Sequence, residues 1–407
     1  MSSRKPHIIV AVTNDLVTDQ RVGRTCRALS DAGYRVTLVG RQLPWSGKLE
    51  PRPYAMERMR LLFRQSVWFY AEYNFRLWLK LMVKRADAFY ANDTDTLLAC
   101  TLAARLRHKW LLFDAHELFP DVPELVYRPR VRAVWRWIEQ HCLPHVNAAF
   151  CVCQSVADEY KRRYGISMKV MRNVPDWHPV ESSEPTASDG MKTILYQGAV
   201  NMGRGVRDII DAMQYLPQCR FVIAGDGDEL ILLKNYLTGC PWRDRVVFLG
   251  RVEPDKLHHI TVTADLGVCL LEDRGLNYRY SLPNRIADFA MAGVPILATD
   301  FPEIHRVLEE YGTGTLTEPS PEKKNGDAYH AYIRRLADTI EQTLDQWAKI
   351  PSDEKRRRFA RAGEELSWDR EKWVLVEAVN TIIGNTHRYI GTMSSDRTTS
   401  DSNQRNH

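Results

Sequence analysis

NYRYSLPNRIADFAMAGVPILATDFPE, residues 277–303, reads as a loop, a short helix and a buried strand in quick succession. Ser281 is the expected N-cap, with Pro283 in the first turn, where its missing N–H costs nothing. Ile286, Ala287, Phe289, Ala290 and Met291 supply the apolar run of the helix. Gly293 and Pro295 stop it, and Ile296–Thr299 follows as a buried strand. A helix start offers unpaired N–H groups and the positive end of a dipole, which suits an anion such as a diphosphate. Arg285 adds a fixed charge there. Asn284, Arg285 and Asp288 share roughly one helix face, and a carboxylate one turn in is placed to hold ribose hydroxyls. An ordinary capped helix with a solvated Asp288 is the competing reading, and the rest of the chain must separate the two.

The 407 residues point to two domains of about 150–200 residues each. Apolar content of 44% and charged content of 26% are those of a soluble globular protein. The start, MSSRKPHIIVAV, moves straight into a strand, so no signal peptide is expected. No uncharged apolar run reaches the roughly 18 residues of a transmembrane helix. The eight cysteines lack zinc spacing and read as buried thiols of a reducing compartment, so a cytoplasmic location is expected. Charge is uneven: residues 1–175 hold 28 Lys and Arg against 16 Asp and Glu, and the remainder 28 against 35. A basic front half suggests an anionic partner there.

Ile8–Val12 reads as a strand, Asn14–Arg21 as a polar loop, Val22–Ala32 as a helix and Arg35–Val39 as a second strand. This is the opening of a doubly wound α/β domain. The loop TNDLVTDQR has no glycine, so it is not a dinucleotide fingerprint. Residues 58–84 read as one aromatic and basic helix, with Glu72, Arg76, Lys80 and Lys84 as a charged stripe. Its apolar remainder is assigned to core packing in preference to membrane contact. Ala88–Tyr90 and Trp110–Phe113 are further strands. Their carboxyl ends place Asp93 and His116 toward one ligand crevice, although a lone His is more often structural.

Residues 128–143 form a second basic helix, with Val131, Val134, Trp135, Ile138 and Cys142 as its apolar face. Arg130, Arg136 and Trp137 lie off that face, which suits either an anionic membrane surface or a solvated exterior. The linker DWHPVESSEPTASDGMK marks the domain boundary, giving a first domain over 1–178 and a second over 190–368. The second opens with Thr193–Gln197 and the loop GAVNMGRG, residues 198–205. Its glycines, with Arg204, can cradle a phosphate. AGDGDE, residues 224–229, reads as a plain turn into a helix. A helix over 370–386 is expected to pack back on the first domain, and the polar tail 391–407 to be disordered.

Five segments then resemble a known family: NDLVTDQRV (14–22), FDAHELFPDVPEL (113–125), RNVP (172–175), YQGAVNMGRG (196–205) and SLPNRIADFAMAGVPILATDFPEI (281–304). Over about 290 residues, in the expected order, they resemble glycosyltransferase family 4. The resemblance implies the GT-B architecture, α/β with two doubly wound Rossmann-like domains facing a central cleft. It implies a retaining enzyme of bacterial envelope polysaccharide synthesis, acting on a nucleotide-sugar donor and a glycan or lipid-linked acceptor. No metal, cofactor or nucleic-acid partner is expected, and the protein would be cytoplasmic or peripheral on the membrane.

By the same resemblance Arg204 stands at or beside the donor-diphosphate cation, and Asp288 is the ribose-binding acid. His116 is a pocket histidine near the sugar, with Asp93 beside it as a catalytic candidate. Gly198, Asn201, Gly205, Ser281, Pro283, Asn284 and Arg285 complete the donor site. Asp19 and Arg21 belong to the acceptor or membrane side with Arg130, Arg136 and Trp137. Two positions depart from the family pattern. Tyr280 stands where a glutamate approaches the donor sugar, and Ala199 where a phosphate-binding arginine is common. Arg207, Arg279 and Arg285 are the candidates to supply that charge. A nucleotide-sugar 2-epimerase of the same fold and a non-catalytic membrane-binding module are the alternative functions.

Overall fold

The structure, a computed structural model, describes residues 4–17, 19–122, 125, 127–177 and 190–384. The tail 391–407 and most of the linker lie outside the described residues. Two compact units emerge. The first takes the chain to Pro120, residues 124–171 and the chain from Glu371; the second takes Asp121–Pro123 and Arg172–Arg370.

In the first unit the strands are β1 (His7–Asp15), β2 (Arg35–Gln42), β3 (Ala55–Arg60), β4 (Ala88–Asn92), β5 (Trp110–Ala115), β6 (Ala148–Cys151) and β7 (Lys169–Val170). All pair in parallel, in the order β3-β2-β1-β4-β5-β6-β7. Parallel sheets are covered on both faces, and β1 and β4 accordingly carry the buried apolar runs Ile8–Val12 and Ala88–Ala91. The helices are α1 (Gln20–Asp31), α2 (Ser66–Val83), α3 (Thr94–Arg107), α4 (Pro129–Cys142) and α5 (Gln154–Tyr164). From Glu371 the chain adds to this unit, where the Tyr34 hydroxyl donates to Asn380 Oδ1 at 2.6 Å.

In the second unit β8 (Lys192–Gln197), β9 (Cys219–Ala224), β10 (Val246–Gly250), β11 (Leu266–Cys269), β12 (Ile296–Thr299) and β13 (Gly314–Thr317) form a parallel sheet, in the order β10-β9-β8-β11-β12-β13. Its helices are α6 (Val206–Ala212), α7 (Leu230–Leu237), α8 (Pro254–Thr261), α9 (Leu276–Arg279), α10 (Arg285–Met291), α11 (Pro302–Tyr311), α12 (Gly326–Lys349) and α13 (Ser352–Glu365); α14 (Trp368–Val379) carries the chain out of the unit. Successive residues of a strand face opposite ways, so Ile194 and Tyr196 join one core while Leu195 joins the other.

Both sheets therefore reverse strand order once, between β1 and β4 and between β8 and β11. Ligands of open α/β sheets bind outside the strand carboxyl ends at such a reversal.

Three local expectations need correction. β1 runs on to Asp15, which pairs with Arg41, so Asn14 and Asp15 are strand rather than loop. Residues 58–84 are not one helix: Ala55–Arg60 is a strand, and the helix begins at Ser66. Glu72 fixes that entry by accepting the N–H groups of Leu62 and Phe63, at 2.8 and 2.9 Å. Ser281 is not an N-cap; α10 starts at Arg285, and the Ser281 hydroxyl instead donates to the Tyr278 carbonyl at 2.9 Å.

Candidate active site

At the β8–β11 reversal the glycine loop 198–205 leaves the end of β8. Two backbone bonds hold it to the turn after β9: Gly198 N–H to the Ala224 carbonyl and Val200 N–H to the Asp226 carbonyl, both 3.0 Å. AGDGDE is thus more than a turn into a helix, because it forms one wall of the loop. A Cβ on Gly225 would fall 1.8 Å from the Gly198 carbonyl oxygen, so only glycine lets the strands approach this closely. Asn201 serves the same wall by accepting the Asp228 N–H at 3.2 Å. At the loop's far end Gly205 caps α6 in the left-handed region, with φ +66°.

The segment 271–288 closes on this loop. Glu272 N–H donates to the Gly203 carbonyl, and the Tyr278 hydroxyl donates to the Met202 carbonyl, both at 3.0 Å. Arg204 lies over the Tyr278 ring, its guanidinium carbon 5.0 Å from the centroid. Arg285 turns inward over Tyr196 at 4.4 Å and reaches the Cβ side of Gly198. Buried nitrogens of both arginines, Nε of Arg204 and Nη1 of Arg285, have no hydrogen-bond partner in the protein. Two guanidinium groups so placed favour an anion.

Of the three cations considered for the charge missing at Ala199, Arg279 is paired with Asp273 at 2.5 Å. Arg207 lies over Tyr236 and 3.6 Å from Asp211. Arg285 alone of the three adjoins Gly198. The shared helix face of Asn284, Arg285 and Asp288 is only partly realised: Asn284 is exposed, Arg285 buried and Asp288 half-buried. Asp288 accepts from the Gln197 amide at 3.2 Å, and Gln197 in turn accepts from Thr261 at 2.8 Å. Pro283 precedes α10, and its carbonyl accepts the Ile286 N–H at 3.0 Å.

In the first unit the reversal brings together Asp93, after β4, and His116, after β5. His116 N–H donates to Asp93 Oδ1 at 2.8 Å; Nδ1 lies 3.3 Å from Asp93 Oδ2 and Nε2 3.3 Å from Asp114 Oδ2. Burial alone would lower the imidazole pKa. The two flanking carboxylates outweigh it and raise His116 to about 9. Burial lifts Asp93 to about 7 against the opposing pull of His116. Asp95, buried and accepting from Thr13 at 2.5 Å, also rises to about 7. Asp114 is held well below the usual carboxylate range: Arg21 and His116 overcome its burial. Asp93 itself sits at φ +59°, an uncommon conformation for a non-glycine residue at a strand end.

Residues 19–175 match the family model described as Glycosyltransferase Family 4, and residues 180–366 match Glycosyl transferases group 1. The chain is a glycosyltransferase of GT-B fold, similar to family 4. Alpha-D-kanosaminyltransferase of Streptomyces kanamyceticus is 21% identical over 285 residues, which span 64% of this chain and 65% of that relative. Sucrose-phosphate synthase of Thermosynechococcus elongatus superposes with TM-score 0.74 at 16% identity, covering 94% of this chain and 100% of that one. HepE of Anabaena, in complex with UDP-glucose, gives 0.69 at 16% identity, covering 92% and 99%. Likeness at these identities shows the fold.

The remaining predicted residues of this glycosyltransferase fall into different settings. Arg21 is a correction: it is not on an acceptor or membrane surface but buried. It forms two bonds to Asp114, at 2.7 and 3.1 Å, and one to the Met171 carbonyl. Asp19 caps α1 by accepting the Val22 N–H at 3.0 Å. Arg130, Arg136 and Trp137 are exposed on α4, with the Trp137 ring 4.4 Å from that of His141. Val131 and Val134, expected on the buried face of α4, are exposed too; that face is Trp135, Ile138, Glu139 and Cys142, with Glu139 accepting from Thr94 and Tyr160.

One supporting residue escaped the sequence. Lys324 bridges Asp208 on α6 and Glu272, lying 2.9 Å from the latter, and so braces the glycine loop from a distant turn. Nothing in a polar SPEKKNG segment announces that pairing.

Proposed function

We propose that this protein transfers a sugar, with retention, from a nucleoside-diphosphate donor to a lipid-linked or polysaccharide acceptor of the cell envelope. The observation that carries this reading is the pair Arg204 and Arg285 at the glycine loop, each with a buried nitrogen lacking a protein partner. Breaking the anomeric C–O bond leaves its electron pair on the departing diphosphate. The two guanidinium groups stabilise that charge, a contribution that usually dominates such reactions. The acceptor hydroxyl bonds to the anomeric carbon, and its proton passes to an oxygen of the leaving phosphate, so no dedicated base is needed. Asp288 holds the ribose. Both ring nitrogens of His116 face carboxylates, so His116 fixes the Asp93 carboxylate, whose remaining lone pairs are left to accept from a hydroxyl.

A thermal-shift screen with UDP, GDP, ADP and CMP tests donor binding, since a ligand bound only by the folded state raises Tm. One nucleotide should stabilise the protein, and the corresponding labelled nucleotide sugar should yield a glycosylated lipid or glycan. Arg204→Ala should cut turnover about 100-fold with folding unaffected. Full turnover by that variant, or a failure of every nucleotide to raise Tm, counts against the proposal.

A further inference from the structure

A basic cavity lies in the first unit, beyond the reversal that carries Asp93 and His116. Arg41 and Gln42 end β2 and Arg60 ends β3, with Gln42 and Arg60 paired in register. Every strand of this sheet runs parallel, so these residues stand at the same edge as Asp93 and His116. The cavity, about 260 Å³, is lined there by Arg41, Gln42, Arg60, Leu61, Phe63 and Arg64 among others. Pockets for whole ligands run to roughly 300–1,000 Å³, so this one suits an end group of a larger molecule.

Three arginines line the cavity and no acid does. The neighbouring carboxylates are committed elsewhere. Asp15 pairs with Arg58 at 2.8 Å, and Glu57 holds Lys80 and Lys84. Glu72 takes Arg76 together with the N–H groups of Leu62 and Phe63. Asp95, which feels the charge of Arg41, accepts from Thr13. Arg41 lies over the Phe69 ring, 4.7 Å from its centroid, and its buried Nε has no hydrogen-bond partner in the protein. Arg60 donates to the Gln42 side-chain oxygen at 3.2 Å, and Arg64 is exposed.

The walls are set without a ligand. Leu43 N–H donates to the Ser46 hydroxyl at 2.8 Å, Ser46 donates to Asp15, and Arg58 donates to the Gly47 carbonyl at 2.7 Å. These bonds fix the loop 43–47, as Glu72 fixes residues 62–63. Preorganisation of this kind lowers the ordering cost of binding. The charge count then selects the anion. A carboxylate brings a single charge, whereas a phosphate monoester brings about two, with three acceptor oxygens to share among the guanidinium groups.

We infer that the acceptor carries a phosphate or diphosphate group, held by Arg41, Arg60 and Arg64. That the bound molecule is the acceptor rests on the transfer proposed above; the phosphate site itself is measured without any donor. The test is isothermal titration of the full chain with glucose 1-phosphate and with geranyl diphosphate, taking methyl glucoside and geraniol as uncharged controls. At least one phosphorylated probe should bind and neither control should. Tighter binding of geranyl diphosphate assigns a lipid carrier, and tighter binding of glucose 1-phosphate a soluble sugar phosphate; either supports the site. Arg60→Gln/Arg64→Gln should weaken that binding at least about tenfold at unchanged Tm, since both side chains are exposed. Should that pair melt lower, Arg64→Gln alone, which breaks no side-chain bond among the described residues, should still lose part of the binding. Arg204→Ala, in the other unit, should keep the binding that the glutamine pair loses. Failure of both probes while a nucleotide raises Tm overturns this inference and leaves the donor site standing. Undiminished binding by the glutamine variants, or loss of all probe binding in Arg204→Ala, overturns it too. Probe binding lost in the glutamine pair, with no nucleotide raising Tm, upholds the phosphate site and counts against the donor site instead.

Discussion

The imidazole of His116 lies between two carboxylates, and its charge state follows from that geometry. Its pKa rises from 6.5 to about 9, so the stabilisation it provides is fully present below about pH 6.5. That stabilisation is lost as pH climbs through about 9. His116→Asn removes the titrating ring, so the wild-type advantage in Tm should be largest near pH 6 and shrink steadily toward pH 10. Asp93 and Asp95 act in the opposite sense. Acids raised to about 7 cost stability as pH climbs to that value, so the wild-type curve alone would blur the effect. The difference between wild type and variant, followed by thermal melts at each pH, is the quantity to measure. A difference that stays constant from pH 6 to pH 10 would mean that the ring is not held protonated.

At the level of elements, much of the molecule was legible because buried parallel strands advertise themselves. Runs such as IIVAV and AFYAN admit few other readings. Helix starts were harder. Ser281 followed by Pro283 has the composition of a cap, but the chain first forms α9, and the Ser281 hydroxyl closes back on it. Local pattern could not weigh that competing bond. Ser281→Ala should therefore cost well under the ~1 kcal/mol typical of losing an N-cap, as read from denaturant midpoints. A loss of that full size would restore Ser281 to the cap.

The charged stripe of α2 lies where the spacing puts it, but its partners do not follow from spacing. Lys80 and Lys84 reach Glu57 on β3, a strand whose last residues were read as helix. The site divides the same way. Arg204 and Asp288 were proposed from local pattern and family resemblance. The wall at Gly225 and the brace at Lys324 depend on tertiary approach, which spacing along the chain does not encode.

Over the whole molecule, surfaces of different character fall in different units. The two guanidinium groups at the glycine loop belong to the second, and the outward apolar stripe of α2 to the first. No helix among the described residues is long and apolar enough to cross a membrane. The excess of basic residues before position 175 and of acidic ones after it has the same partition. A double comparison tests it. Arg204→Ala should lose the nucleotide-induced rise in Tm, worth about 2.7 kcal/mol at 100 times Kd in the wild type, with its unliganded Tm unchanged. Trp68→Glu/Phe75→Glu, on the exposed face of α2 in the first unit, should keep the full shift. If the second variant lost the shift at unchanged unliganded Tm, the two units would be energetically coupled.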